Sequence, residues 1–277
     1  MSPTHRHAAA AAALLGLAAA RPAAAQTPFS ASGATAAAIQ SEVDAFRAAL
    51  GTLNPNVAGS SGAGRREINW DGVPTNLSAP TDLPPNFFNA NSPRGAVFTG
   101  PGTGFQVSAT AAEGAVRFGN LNPQYVDVFQ TFSAQRLFTS RGSNVYDVEF
   151  FVPGSTTPAT TGAFGAVFVD VDLANTTSLE FFGVGGTSLG RYFASAFNSG
   201  LSFLGVQFAG SPIARVRVTN GNTAVGPNDG GTVDVVVNDD FLYAEPLAVV
   251  PEPGTWALLG AGLVAVAGVA RRRRRTA

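Results

Sequence analysis

From residue 96 to residue 243 the chain alternates short apolar runs with turn residues. The runs are rich in Val, Phe, Thr and Tyr, and Gly, Pro and Asn separate them, which is typical of β-strands. In the run from Ala214 to Val218, apolar residues alternate with Arg215 and Arg217, which predicts one buried and one solvated face. We predict strands at 96–99, 104–109, 115–118, 125–133, 145–152, 164–171, 177–183, 188–194, 201–208, 213–219 and 232–243.

The order of these elements predicts the fold class. No helical pattern interrupts the strands, which argues against a parallel α/β sheet. Phe181 to Leu189 contains three glycines between two apolar runs and predicts a hairpin. Many short strands at regular spacing favour a mainly β protein, an antiparallel β-sandwich. We expect this domain to cover residues 54–248, with a loop-rich first part.

One soluble helix is predicted before this domain, at residues 34–50. Ile39, Val43, Phe46 and Leu50 recur at helical spacing, so they form one apolar stripe. Gly51 ends the helix. We therefore assign residues 26–53 to a helical N-terminal segment, whose stripe packs on the β domain or binds a partner.

The N-terminal 25 residues have the pattern of a secretory signal peptide. Arg6 precedes an apolar run from Ala8 to Ala20, and the small residues Ala23 and Ala25 stand before Gln26. This pattern predicts cleavage by signal peptidase after Ala25. The alternative, a buried alanine-rich helix, is disfavoured because Arg21-Pro22 interrupts the run.

The C-terminal segment, residues 249–277, has three parts. Val250-Pro251-Glu252-Pro253 is stiff and extended because each proline fixes φ and lacks an amide donor. Residues 255–270 are uncharged and predict a transmembrane helix, which is short for a hydrocarbon core of about 30 Å. Arg271, Arg272, Arg273, Arg274 and Arg275 follow, and such a cluster remains cytoplasmic.

These three parts, in this order, resemble the PEP-CTERM sorting signal of exported bacterial proteins. The resemblance implies that exosortase, a membrane-embedded cysteine protease, recognises Pro251, Glu252 and Pro253, and that the five arginines form a retention tail. It also implies a Gram-negative-type bacterium that makes extracellular polysaccharide. The precursor would lie in the inner membrane with its N-terminus outside and its C-terminus cytoplasmic. The alternative is an ordinary single-pass anchor.

The net charge of the exported body limits the kinds of partner that it can bind. All 18 acidic residues lie between Glu42 and Glu252, whereas only ten of the 17 arginines do, and there is no lysine. The body is therefore acidic, with a net charge near −8, which argues against nucleic acid as a partner.

Residue types also exclude several chemistries. The two histidines, His5 and His7, lie in the predicted signal peptide, and there is no cysteine. The mature protein then lacks nucleophilic triads, histidine or thiolate zinc sites and Schiff-base lysines. A pair of carboxylates, as in glycoside hydrolysis, remains, but no motif marks one. We expect a protein that is not an enzyme.

A second resemblance concerns the body. Phe164 to Phe168, the 178–189 hairpin, 203–206, Ile213 to Val218 and Asn238 to Phe241 are similar to the C-terminal half of jelly-roll domains. Such domains are similar in layout to carbohydrate-binding modules. The resemblance implies a jelly-roll-like sandwich and leaves the ligand open, because fold alone does not determine function.

Two acidic pairs are candidate calcium ligands, Asp170 with Asp172 and Asp239 with Asp240. Calcium takes six to eight oxygen ligands from carboxylates and carbonyls, and residues two apart share a strand face. The alternative is solvated turn aspartates that cap backbone amides. Trp70 with Asp71 is a candidate glycan contact, and its alternative is a core tryptophan.

We therefore expect a secreted or cell-surface matrix protein that associates with extracellular polysaccharide, with structural calcium as a candidate cofactor. A purely structural surface protein without a small ligand and a carboxylate-only glycoside hydrolase are the two alternatives.

Overall fold

The computed structural model describes residues 25–114, 116–249, 260–264, 266 and 271. The described chain is mainly β, and every pairing between its named strands is antiparallel. This confirms the predicted mainly β, antiparallel class.

The larger sheet has seven strands. In spatial order they are β1 (Gln26–Gly33), β11 (Phe197–Phe208), β8 (Ala163–Val171), β13 (Val237–Ala244), β5 (Phe138–Arg141) and β4 (Gly104–Val107), with β2 (Arg65–Ile68) also pairing with β13.

The second sheet has five strands, and a small ribbon lies beside the two sheets. The five are β10 (Ser188–Phe193), β9 (Ser178–Phe182), β12 (Arg215–Thr219), β6 (Val145–Phe150) and β3 (Ala96–Thr99), and the ribbon is β14 (Leu247–Ala248) with β7 (Ala159–Thr160). The helices are α1 (Ala36–Leu50), α2 (Phe87–Ala90), α3 (Tyr125–Val128) and the 3₁₀ turns Thr75–Leu77 and Val184–Gly186.

The main core fills the space between the two sheets. Side chains from both contribute, among them Tyr146 and Val148 of β6 and Phe164 and Phe241 of the larger sheet, and all are almost fully buried. Phe164 and Phe241 meet edge to face with ring centroids 5.3 Å apart, a geometry that aromatic quadrupoles favour. The two sheets therefore form a sandwich.

Helix α1 covers the outer face of the larger sheet. Ile39, Val43, Phe46 and Leu50 are its buried residues, as the apolar stripe predicts, and they join a second core with residues of β8 and β11. Every residue of β8 is consequently buried. The apolar stripe of α1 therefore packs on the larger sheet rather than remaining open to a partner.

Four predicted elements differ from the structure. The last predicted strand, 232–243, begins only at Val237. Residues 26–33, predicted as part of a helical segment, form β1, which pairs with β11 along its whole length. Residues 125–128 of the predicted strand 125–133 are helical, and the Tyr125 hydroxyl contacts Pro227 and Gly226 of a distant loop. Of the predicted strand 115–118, Val116 makes only an isolated bridge and a turn follows.

Several predictions fall on residues outside the described ones: the leader with Ala23, the Val250 to Pro253 motif and Arg272 to Arg275. Residues 260–264, 266 and 271 are helical. Among the described residues, no helix is long and apolar enough to cross a membrane. The transmembrane segment 255–270 therefore stays a sequence prediction.

Candidate functional site

The first acidic pair lies where β8 ends. Asp170 is the eighth of its nine residues, and its backbone has φ of 65°, a left-handed conformation that aspartate tolerates better than most residues. Opposite it, β11 has an irregular register between Phe197 and Leu201. The amide of Ser199, within that irregularity, donates to Asp170 Oδ1 at 2.6 Å.

The fold brings a third carboxylate to this pair. Asp229 belongs to the loop between β12 and β13, and ligand oxygens of Asp170, Asp172 and Asp229 all lie within 4.8 Å of one another. Nothing in the sequence near Asp229 marked it as a partner, because about sixty residues separate it from the pair.

The hydrogen bonds of this cluster leave oxygens free. Asp170 is 1% exposed, and its Oδ2 has no hydrogen-bond partner; neither has the buried Oδ1 of Asp172. Asp229 accepts a 2.8 Å bond from the amide of Val235. Among the described residues, no arginine forms an ion pair with these three aspartates.

Burial and mutual repulsion act on the protonation of the cluster. Burial, with the charge of Asp229 added, raises the pKa of Asp170 to about 8. The same causes raise the pKa of Asp172 to about 6. Both shifts follow from placing like charges close together in a poorly solvated site.

A fourth carboxylate, Asp234, holds the backbone around the cluster. It is fully buried and accepts from the amides of Asp172 and Leu173 at 3.1 and 3.3 Å, and from the Thr176 hydroxyl. Gly221 packs closely against the backbone of Asp234. A Cβ at position 221 would lie 2.1 Å from the carbonyl oxygen of Asp234, so only glycine fits there. Asp234 is thus occupied by protein donors.

The second predicted pair, Asp239 and Asp240, does not belong to this three-carboxylate group. It lies in β13 at a register shift between Asn238 and Phe241, which lets two consecutive side chains be buried. Asp239 Oδ2 accepts from the amides of Phe132 and Ser133, at 2.6 and 3.3 Å.

The same pair shares a serine and an arginine. The Ser133 hydroxyl lies 3.0 Å from Asp239 Oδ1 and 2.8 Å from Asp240 Oδ1, and Arg47 lies 3.5 Å from Asp240 Oδ2. Burial and the neighbouring Asp240 raise the pKa of Asp239 well above its usual range. Burial also raises the pKa of Asp240.

Trp70 is a core residue, which corrects its proposed contact with sugar. It is 1% exposed, stacks on Phe138 with centroids 4.1 Å apart, and donates its indole N–H to the carbonyl oxygen of Asp239 at 2.7 Å. A sugar cannot reach the ring. Asp71 accepts from the amide of Arg136 at 3.1 Å, so it fastens a loop.

A cleft of about 400 Å³ opens elsewhere, between residues 82–85 and 100–105. Asp82 and Ser140 supply its polar groups and Phe105 lies in its wall. Asp82 Oδ2 accepts from Arg141 at 2.6 Å, while Asp82 Oδ1 and the Ser140 hydroxyl have no hydrogen-bond partner. Glycines at 102 and 104 keep the cleft open, since a Cβ at Gly104 would lie 2.6 Å from Asp82 Oδ2.

Comparison with known proteins identifies one segment. A family model described as the PEP-CTERM protein-sorting motif matches residues 249–275, which confirms the resemblance at that segment. The chain therefore carries the sorting motif of secreted, cell-surface proteins, with exosortase as its processing partner. No curated protein and no solved structure shows significant similarity to this chain, so the jelly-roll resemblance is not confirmed.

Proposed function

We propose that this protein is a non-enzymatic module of the cell surface or extracellular matrix that associates with extracellular polysaccharide. The precursor is held in the inner membrane by residues 255–270, with the β-sandwich outside, until exosortase acts at Val250 to Pro253. The observation that carries the proposal is the sorting motif at residues 249–275, attached to a β-sandwich with a net acidic body.

The cleft at residues 82–105 is the proposed glycan contact. Its wall combines apolar surface from Pro84, Pro85 and Phe105 with the polar side chains of Asp82 and Ser140. Apolar walls with a few placed polar groups are usual for small-ligand sites. Sugar C–H faces fit the apolar wall, and sugar hydroxyls pair with the exposed part of Asp82, whose side chain is 39% exposed. The cleft replaces Trp70 in this role.

Binding to glycans tests the proposal. The full chain would be applied to a glycan array and to purified neutral and acidic bacterial exopolysaccharides, with Asp82→Asn and Ser140→Ala beside it. We expect binding to at least one glycan and about tenfold weaker binding by Asp82→Asn, since one hydrogen bond to a charged group contributes roughly 1.5 kcal/mol. Ser140→Ala, which changes a buried neutral hydroxyl of the cleft, should weaken binding less. Asp127→Asn, an exposed aspartate of α3, is the matched control.

Two results would contradict the proposal. Absence of binding to every glycan would favour the purely structural alternative. Release of reducing sugar, abolished by a single carboxylate substitution, would make the protein a glycoside hydrolase.

A further inference from the structure

The strongest unassigned feature is the cluster of Asp170, Asp172 and Asp229. These side chains come from two segments, the end of β8 and the β12–β13 loop, and their ligand oxygens lie within 4.8 Å of one another. Oxygens coordinated to one calcium ion at about 2.4 Å are at most twice that distance apart. The spacing is therefore one that a single ion can span.

An independent observation points to a ligand at this place. Asp170 is 99% buried, and its Oδ2 has no donor although its Oδ1 receives the Ser199 amide at 2.6 Å. Asp172 Oδ1 is likewise buried and without a donor. A buried acceptor left without a donor or a cation costs about 1–3 kcal/mol, and more when it is charged. A cation shared with the third carboxylate would satisfy both oxygens at once.

The protein itself offers no such partner among its described residues. The arginines that form ion pairs do so with other carboxylates, and none of those pairs includes Asp170, Asp172 or Asp229. Asp234 accepts hydrogen bonds from backbone amides at the end of β8 and contributes no positive charge. No arginine ion pair among the described residues thus offsets the charge of the three carboxylates.

We infer that Asp170, Asp172 and Asp229 bind one calcium ion, which ties the β12–β13 loop to the end of β8. The donors are all oxygens, which suit calcium better than zinc or copper. Magnesium demands an almost ideal octahedron at shorter distances, whereas carboxylates on two separate segments give a more adaptable cage. This inference goes beyond polysaccharide association and does not depend on it.

The ion has a structural consequence for the loop. Residues 220–236 are rich in Gly, Asn and Asp, and residues 222, 230 and 233 form only local hydrogen bonds. The loop also rests on Asn122, Gln124 and Tyr125 through its 226–229 stretch. Calcium at Asp229 adds a link from this stretch to the sandwich core, so its removal should loosen the loop before the rest of the domain.

The test uses the full chain, stripped with chelator and then titrated with calcium chloride. Isothermal titration calorimetry should give one site per chain with a dissociation constant between about 10⁻⁵ and 10⁻³ M, the range of sensor and extracellular sites. Saturating calcium should raise the melting temperature by about 5 °C or more. Magnesium at the same concentration should raise it much less.

Two substitutions separate a ligand from an ordinary structural residue. Asp229→Asn and Asp170→Asn should each remove the calcium-dependent shift. In chelator, Asp170→Asn should melt no lower than the wild type, because it removes a buried ionisable group yet keeps the acceptor for Ser199. Asp127→Asn, exposed on α3, should keep the full shift.

A second readout covers a variant that folds poorly. Limited proteolysis should cut the wild type within residues 220–236 faster in chelator than in calcium, with no such difference in Asp229→Asn. The inference is overturned if calcium gives neither binding heat nor a melting shift in the wild type. It is equally overturned if both asparagine variants keep the full shift.

Discussion

Two pairs of aspartates with similar sequence signals have opposite environments in this protein. Asp170 with Asp172 and Asp239 with Asp240 all lie at or near irregular points of buried strands. In the second pair, each of the four carboxylate oxygens contacts a protein donor, from Ser133, the Phe132 amide or Arg47. In the first pair, one oxygen of each aspartate meets none.

The comparison shows that a buried carboxylate can be accommodated in two ways. Asp239 and Asp240 are compensated by the chain and by a proton. The Ser133 hydroxyl has one hydrogen yet lies within 3.0 Å of an oxygen of each aspartate, so one of these contacts needs a proton on the carboxyl pair. Asp170 and Asp172 lack such donors and are compensated, as inferred above, by an external cation.

Removing Arg47 should have the largest effect on the second pair. Arg47→Met keeps the aliphatic part of the side chain but removes the cation beside Asp240. Glu67, the other partner of Arg47, remains paired with Arg65 at 2.6 Å, so the loss falls mainly on Asp240. Because the arginine is partly exposed, we expect a loss of about 2–3 kcal/mol in the free energy of unfolding, below the full cost of breaking a buried pair. Urea denaturation followed by tryptophan fluorescence measures this loss.

Arg191→Met is the matched control for Arg47→Met, because Arg191 is 51% exposed and pairs with Glu180 at the surface. Its cost should stay below about 1 kcal/mol. The Arg47 variant should also keep the calcium-dependent melting shift. Loss of that shift would mean that the two acidic pairs are coupled, and the contrast between them would fail.

The sequence predicted the strands that form the two sheets better than the loops that form the site. Alternation in β12 and the helical spacing in α1 are local patterns, and both are observed. Strand β1 was missed because Gln26–Gly33 contains a proline and two serines and has little apolar periodicity. It is defined by pairing with β11, which is a tertiary effect.

For the candidate site, the sequence supplied Asp170 and Asp172 but neither their third partner nor the difference from Asp239 and Asp240. Asp229 lies in a Gly- and Asn-rich stretch whose path depends on anchors such as Tyr125. Trp70 beside Asp71 is compatible with a sugar platform, although the sequence favours a core tryptophan, and the rings packed around Trp70 decide for the core. A sequence shows which residues carry carboxylates, but it does not show which hydrogen-bond donors lie beside those carboxylates in the fold.

Replacing Ser133 sharpens the comparison with a smaller change. Ser133→Ala removes the only hydroxyl that contacts both Asp239 and Asp240 among the described residues. We expect a loss of about 1–2 kcal/mol in the free energy of unfolding, because two buried oxygens each lose a partner. Urea denaturation measures it, with Ser41→Ala on the exposed face of α1 as control. A cost equal to that of the control would show that the serine does not support the pair.

The smallest expected effect is the pH dependence of stability that arises from the proton shared by Asp239 and Asp240. Burial and Asp240 raise the pKa of Asp239 in the folded state, whereas the unfolded chain has an ordinary aspartate pKa near 3.9. The folded state therefore binds more protons above about pH 4, so this group's contribution to stability is complete below that pH and is lost as pH rises towards the folded pKa. Asp239→Asn removes the titrating group and keeps an acceptor for Ser133.

The variant and the wild type should thus have similar free energies of unfolding near pH 4 and diverge in favour of the variant as pH rises to 8. The charges of Glu67 and Arg47 act on Asp240 and that of Asp71 lies near it, and all three are present in both proteins. Urea denaturation at pH 4, 6 and 8 measures this difference. Parallel pH profiles would mean that Asp239 is ionised in the folded protein at neutral pH. The second pair would then hold no proton, and the proposed distinction between a proton in one pair and a cation in the other would be lost.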